Sequence, residues 1–171
     1  MRAPHAVALL ISLVACVTDI RSRRIPNVLT FGGALAAVIL HGVTGGVTGL
    51  VTACGGWIVG AALFFLPFAL GGMGGGDLKL LAALGAWLGP AETVWLALYT
   101  GVAGGIMAVG VACARGYLRQ ALSNVWLLLT HWSVAGIGPV HEVSLEGSTG
   151  PRLAYAVAIF VGTVVTIWFG R

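Results

Sequence analysis

The chain has 171 residues, of which 58% are hydrophobic and 8% are charged, and its formal net charge is +4. The mean hydropathy of +1.01 excludes an ordinary soluble domain and is typical of a polytopic membrane protein. The length is that of one domain, so we expect residues 1–171 to form a single integral-membrane domain. The nine Lys and Arg residues form no basic face, which argues against nucleic acid as a partner.

Apolar segments of about 20 residues are long enough to cross a bilayer. The first of them, residues 5–20, contains at 13–16 a sequence like a lipoprotein processing site, but the rest of the chain is equally apolar, so we interpret it as a span. The sequence predicts an all-α bundle of about six transmembrane helices, the fourth of them short, at 5–20, 27–42, 47–70, 78–90, 92–113 and 152–170.

Residues 121–140 do not fit this series cleanly, because they are apolar but contain Asn124, His131 and a late Gly-Pro pair. We interpret them as an interfacial or re-entrant element, with Trp126 and Trp132 at the level of the lipid headgroups. The alternative, a further span, would move the carboxyl terminus to the cytoplasm without changing the side of any residue that precedes it.

The basic residues predict the orientation of the chain, because Lys and Arg are enriched on the cytoplasmic side of membrane proteins. With both termini outside, only Arg2 and Arg171 fall on the other side. The remaining basic residues are then all cytoplasmic, and they are Arg21, Arg23, Arg24, Lys79, Arg115, Arg119 and Arg152. This topology also places Asp19 and Asp77 on the cytoplasmic side.

Glycine makes up 27 of the residues and predicts both joints and close helix contacts. Gly-rich joints lie at 42–49 and 71–76, and Gly89 with Pro90 separates the fourth apolar segment from the fifth. Small residues four positions apart let helix backbones approach closely in lipid. Pairs with this spacing include Gly45/Gly49, Gly56/Gly60, Gly85/Gly89 and Gly101/Gly105.

Asp77 is one of only two aspartates in the chain, and it follows three glycines. A carboxylate in a bilayer costs about 2.5–3.5 kcal/mol on insertion scales, so such residues are candidates for function. The helix expected over 78–89 would be about 18 Å long, well short of a bilayer core of about 30 Å. Its amino end could therefore lie in a water-accessible hollow. The alternative is that Asp77 is only a helix N-cap.

Asp19 is the other aspartate and lies at the end of the first apolar segment, beside Arg21, Arg23 and Arg24. It could simply be a surface residue paired with an arginine. Two carboxylates on one side of a membrane, in different environments, are also the pattern for general acid and base catalysis. Two further alternatives are a small transporter or channel component that uses the carboxylates to pass protons or cations, and a non-catalytic scaffold.

Two segments carry a resemblance to a known family. Residues 19–27 (DIRSRRIPN) and 74–80 (GGGDLKL) resemble the two motifs of the prepilin peptidases, which are intramembrane aspartic proteases of the GxGD type. The similarity extends over roughly residues 6–113 and includes the order of the motifs. It implies that Asp19 and Asp77 are the catalytic dyad and that Gly74 and Gly76 are the motif glycines. Lys79 also fits the motif, but we expect it to be an interfacial anchor without a direct catalytic role.

The same resemblance implies an aspartic endopeptidase of the inner (cytoplasmic) membrane with a multi-pass topology. The expected partner is a prepilin or pseudopilin precursor with a basic leader and a hydrophobic helix, cut on the cytoplasmic side. Larger members of the family carry paired CxxC motifs and an N-methyltransferase activity. This chain has no such motif, so we expect peptidase activity alone, as in the short forms associated with Flp/Tad-type pili. A type II secretion pseudopilin is an alternative substrate.

No cofactor or metal is predicted for this activity. The three cysteines are Cys16, Cys54 and Cys113, each alone in an apolar segment, so no disulfide framework is expected. The four histidines also lack the spacing of a metal site.

Overall fold

The structure, a computed structural model, describes residues 3–135 and 154–169. Within these ranges the chain is helical and contains no strand, which confirms the predicted all-α class. One π-helical turn, Val28–Gly32, leads directly into the second helix. The α-helices of the described residues are α1 Ala3–Ser22, α2 Gly33–Ala69, α3 Gly75–Leu88, α4 Pro90–Ala114, α5 Leu118–Ala135 and α6 Tyr155–Phe169.

Three helices in the described part of the chain are long and apolar enough to cross a membrane by length and composition. They are Ala3–Ser22, Val28–Ala69 and Pro90–Ala114, and the second covers both predicted spans, 27–42 and 47–70, except for residues 27 and 70. Helix α6 is apolar but shorter, with 15 residues. The predicted short helix is also present: α3 has 14 residues and is about 21 Å long.

A sharp joint at Gly46 divides α2 into two antiparallel segments. Gly46 has φ 57° and ψ −140°, which is not helical and which residues with a side chain rarely adopt. A Cβ added at Gly49 would collide with the backbone of His41, although eight residues of straight helix would separate the two by about 12 Å. The chain therefore reverses here, as the glycine-rich joint at 42–49 predicted.

We expect Gly46→Ala to lower the thermal stability of the detergent-solubilised protein. Backbone conformations that only glycine adopts readily cost other residues about 1–3 kcal/mol. Gly45→Ala is the matched control, because Gly45 is helical and a Cβ there would meet nothing within 4 Å. Thermal unfolding of the two variants side by side measures the difference. Equal midpoints would contradict the assigned role of Gly46.

Helix α3 lies at the centre of the bundle, with every residue from 80 to 88 buried. It packs against α1, α2 and α4. The contact with α2 is made by backbone: a Cβ on Gly56 would collide with the carbonyl of Gly85, and a Cβ on Gly60 would lie 2.7 Å from the carbonyl oxygen of Leu81. The small-residue spacing at 56/60 thus predicted a real helix crossing.

The same spacing at Gly101 and Gly105 does not mark a contact within this chain. A Cβ at either position would meet nothing within 4 Å, because both lie on the exposed face of α4. The close approach of α4 to α6 uses Gly104 and Gly162 instead, where added Cβ atoms would collide with Tyr155 and Thr100. The spacing rule finds glycines that could face a partner helix, but it does not say which face is covered.

Two contacts join the helices at the end of the bundle where α1 and α4 begin. The His5 Nε2–H donates to Glu92 Oε2 at 3.0 Å and joins the amino ends of α1 and α4. His41 Nε2 lies 3.3 Å from the Trp87 carbonyl oxygen and joins α2 to the end of α3.

Helix α5 spans 118–135 and overlaps most of the predicted element 121–140. It contacts α4 and is more amphipathic than the other helices. Residues 136–140 of that prediction lie outside the described residues.

Candidate active site

The two aspartates lie at the same end of the bundle, on helices that pack against each other. Asp19 is in the last turn of α1, is only 9% exposed, and so is not the surface residue of the simpler alternative. Asp77 is in the first turn of α3 and is half-buried. The two carboxyl groups are close enough for the charge of Asp19 to act on Asp77. The structure therefore brings together two residues that are far apart in sequence.

The glycines before Asp77 set where α3 begins. Gly74 has an extended conformation, and its carbonyl accepts the backbone N–H groups of Asp77 at 3.1 Å and Leu78 at 3.4 Å. These bonds start α3 at Gly75, three residues before the predicted 78–90. Gly74 is therefore the N-cap, and the alternative that Asp77 serves as N-cap is wrong.

The two motif glycines differ in how tightly their surroundings are packed. A Cβ on Gly74 would lie 3.2 Å from Oδ2 of Asp77, so a side chain there would press on the carboxylate. A Cβ on Gly76 would make ordinary contacts of 3.5 Å or more with Ile25, which follows the first motif's arginines. Position 74 therefore has a specific steric reason to be glycine. At position 76, the nearness of Ile25 shows that the second motif lies against the first.

Burial and a like charge act together on Asp77, which lies outside the long apolar helices. Burial, followed by the charge of Asp19, raises the pKa of the Asp77 carboxyl to about 7, and the hydrogen bond that the backbone N–H of Gly74 donates to this carboxyl opposes the shift only in part. A carboxyl with such a pKa can hold a proton near neutral pH, which is the property that a general acid needs.

A third element reaches the aspartates from the far end of the sequence. The backbone N–H of Ala156, at the amino end of α6, donates to Oδ2 of Asp19 at 3.4 Å. The sequence predicted only an apolar span at 152–170, with no part in the site. Nothing in the local pattern around Ala156 indicates this contact, because it joins residues 137 positions apart through a backbone group.

Lys79 connects the second motif to the last residue of the first motif and to the segment that follows it. Its Nζ donates to Asn27 Oδ1 at 3.3 Å and lies 5.3 Å from the centroid of the Phe31 ring. The side chain is exposed, and residues two positions apart on a helix, such as Asp77 and Lys79, do not face each other. It is thus more than an interfacial anchor, since it ties α3 to the π-helical turn.

Metal ligands are not grouped in the part of the chain that the structure describes. No three His, Cys, Asp or Glu side chains within residues 3–135 and 154–169 come together in a way that could hold a metal ion.

Comparison with known protein families gives a match over much of the chain. The model of the type IV leader peptidase family matches residues 6–109, more than half of the chain. The chain belongs to the type IV leader peptidase family. No curated protein and no solved structure shows significant similarity to it.

Membership in the type IV leader peptidase family makes the chain a protease, and its apolar helices make it a membrane protein. The matched residues include both aspartates and both motif glycines. They end within α4, so α6 and its N–H donor lie outside the match.

The raised pKa of Asp77 predicts how the stability of this leader peptidase changes with pH. In the unfolded chain the carboxyl releases its proton near the ordinary value of 3.8, whereas in the folded protein it does so near 7. Between these values only the folded state holds the proton, so the contribution of this carboxyl to stability is fully present below pH 3.8 and is lost as the pH rises to about 7.

The measurement is the thermal midpoint of the detergent-solubilised protein at a series of pH values, for the wild type and for Asp77→Asn. We expect the midpoint of the wild type to fall between pH 3.8 and about 7, and that of Asp77→Asn to fall less, because the amide does not titrate. Parallel curves for the two proteins would contradict this assignment.

Proposed function

We propose that the protein is an intramembrane aspartic endopeptidase that removes the leader peptide from prepilin or pseudopilin precursors. Asp19 and Asp77 are its catalytic pair. The observation that carries this proposal is that two carboxyl groups from separate motifs, one 9% exposed and the other half-buried, lie within electrostatic range of each other at one end of an otherwise apolar bundle. The family match supports the leader peptidase class, and the geometry supports the aspartic mechanism within it.

In the proposed reaction the two carboxyl groups share one proton, and they titrate as a pair. We assign the proton to Asp77, whose burial and proximity to Asp19 favour its neutral form. Asp19 accepts the Ala156 N–H, a bond that suits an ionised carboxylate. Asp19 is then the general base and Asp77 the general acid.

Asp19 takes a proton from a water molecule while the water oxygen attacks the scissile carbonyl carbon. Asp77 donates its proton to the carbonyl oxygen, which becomes a hydroxyl group in the tetrahedral intermediate. The proton on Asp19 then passes to the leaving nitrogen as the C–N bond breaks. Asp77 recovers its proton from the hydroxyl as the carboxyl group of the leader forms, and the pair returns to its starting state.

The surface around this pair bears on how a precursor would be recognised. Exposed Arg21, Arg23 and Arg24 follow Asp19, and exposed Lys79 follows Asp77, so the surface beside the pair is basic. By the positive-inside rule, we expect such a surface on the cytoplasmic side of the inner membrane, where the multi-pass chain would meet the leader. A basic leader gains little from a basic surface, so we propose that the apolar helix of the precursor provides most of the recognition.

The test uses purified protein in detergent and a purified pilin-like precursor with a basic leader and an apolar helix. We expect a product shortened by the leader, identified by its mass and its new amino terminus. The matched control precursor carries a charged substitution in the apolar helix and should be cut more slowly. Absence of a shortened product from several pilin-like and pseudopilin-like precursors would rule the proposal out.

A further inference from the structure

The amino end of α6 lies directly against the carboxylate that we propose as the base. Ala156 is in the first turn of α6, where backbone N–H groups have no partner within the helix. Its N–H donates to Asp19 Oδ2, and Ala156 is fully buried while Asp19 is 9% exposed. The bond is therefore shielded from water, and it orients one oxygen of Asp19.

Tyr155, the neighbouring residue, fixes the position of this helix end. Its ring packs on Phe64 of α2, with centroids 6.3 Å apart and planes tilted by 59°. On the other side it lies against Gly104 of α4, where an added Cβ would be 2.7 Å from Cε2 and 2.8 Å from Oη of the tyrosine. The ring thus fills the space between α2 and α4, and it also lies within electrostatic range of Asp77.

We propose that Tyr155 is a positioning residue of the active site: its ring, held between Phe64 and Gly104, keeps the amino end of α6 where the Ala156 N–H meets Asp19. This inference rests on the proposed function, because it assigns Asp19 a part in the reaction. It also extends the active site beyond residues 6–109, the part of the chain that matches the family.

The expected consequence is kinetic. A catalytic base must stay within hydrogen-bond reach of its proton, and a displacement of about 1 Å can cost on the order of 10²-fold in rate. We expect Tyr155→Ala to lower kcat by roughly 10- to 100-fold. KM should change little, because Tyr155 acts on Asp19 and not on the precursor. Tyr155→Phe keeps the ring and should retain most of the activity.

A matched pair of glycine variants tests the same contact from the opposite side. Gly104→Ala places a methyl group against the Tyr155 ring and should lower kcat. Gly105→Ala makes the same chemical change one residue further along α4, where a Cβ would meet nothing within 4 Å, and should leave kcat unchanged.

Ile159→Ala is a control for loss of packing in α6, since Ile159 is fully buried one turn after Tyr155. It should lower thermal stability while the folded protein keeps its kcat.

A second measurement reports the position of α6 without cleavage. The substitutions Asp19→Cys and Ala156→Cys, in a background with Cys16, Cys54 and Cys113 replaced by Ser, introduce two thiols that a short bifunctional reagent can join. We expect efficient cross-linking in this background and in its Gly105→Ala version, and weaker cross-linking with Gly104→Ala or Tyr155→Ala.

The results separate the two proposals. If the wild type cuts no precursor, the proposed function fails, while the cross-linking still decides the position of α6. If Tyr155→Ala and Gly104→Ala keep the wild-type kcat, the positioning role is wrong. It is equally wrong if they cross-link as efficiently as the double-cysteine protein without these substitutions. It is also wrong if Ile159→Ala lowers kcat as much as Tyr155→Ala does, or if Tyr155→Ala raises KM alone.

Discussion

Asp19→Asn and Asp77→Asn, each made singly, should abolish leader cleavage while the protein still accumulates in the membrane. Positioned general acids and bases contribute roughly 10²–10⁴-fold each to a reaction rate. An amide has almost the shape of a carboxyl group, but it can neither take the proton of the attacking water nor donate an acidic proton. Because both carboxyl groups act in the same step, either variant should lose nearly as much activity as the double variant.

The measurement is the initial rate of precursor cleavage by equal amounts of purified wild-type and variant protein. Glu92→Gln is the matched control: Glu92 is also a carboxylate in the first turn of an apolar helix, but it pairs with His5 at the opposite end of the bundle. It should keep its cleavage activity. Wild-type processing by Asp19→Asn or Asp77→Asn would exclude the catalytic pair.

Much of the arrangement around the aspartates follows from the sequence alone. Counting spans from Asp19 to Asp77 returns the chain to the side it left, and the structure places both residues at one end of the bundle. The short helix after Asp77 was predictable because apolar residues run only from Leu78 to the Gly89–Pro90 break. Its first turn was missed, since glycine has poor helix propensity and only the bonds to Gly74 start the helix there.

The contacts that complete the site were not predictable from local pattern. Lys79 meets Asn27 across 52 residues of chain, and Ala156 meets Asp19 across 137. The second contact uses a backbone N–H, which every residue except proline has, so no side-chain signal marks it. Hydropathy predicts that a helix is apolar, but its rotation and depth depend on packing against its neighbours. A role for Tyr155 can be inferred only once Gly104 and Phe64 are known to face its ring.

The second large effect is expected where α2 crosses α3. Gly56→Ala and Gly85→Ala should each destabilise the protein by about 1–3 kcal/mol or more, the cost typical of inserting atoms into a packed core. The neighbouring atoms belong to backbone and cannot rotate away: a Cβ on Gly56 would collide with the carbonyl oxygen of Gly85 and lie 2.7 Å from its carbon. From the other side, a Cβ on Gly85 would lie 2.8 Å from the carbonyl carbon of Gly56.

The thermal midpoint in detergent measures this loss, and Gly101→Ala on α4 is the matched control. Gly101 is also a helical glycine, but a Cβ there would meet nothing within 4 Å. Alanine is the better helix former by about 0.5–1 kcal/mol, so this control should be neutral or slightly more stable. A midpoint for Gly56→Ala equal to that of Gly101→Ala would contradict the backbone contact.

The crossing also links stability to the proposed chemistry, because α3 carries Asp77 at its first turn and Gly85 near its last. If the added methyl group pushes α3 away from α2, the carboxyl group of Asp77 moves relative to Asp19 on α1. We therefore expect the folded fraction of Gly85→Ala to cleave the precursor more slowly, whereas Gly101→Ala keeps the wild-type rate. Since a displacement of about 1 Å can cost on the order of 10²-fold, the activity should be the more sensitive of the two measurements. Full activity in a strongly destabilised Gly85→Ala protein would show that the position of Asp77 does not depend on this crossing.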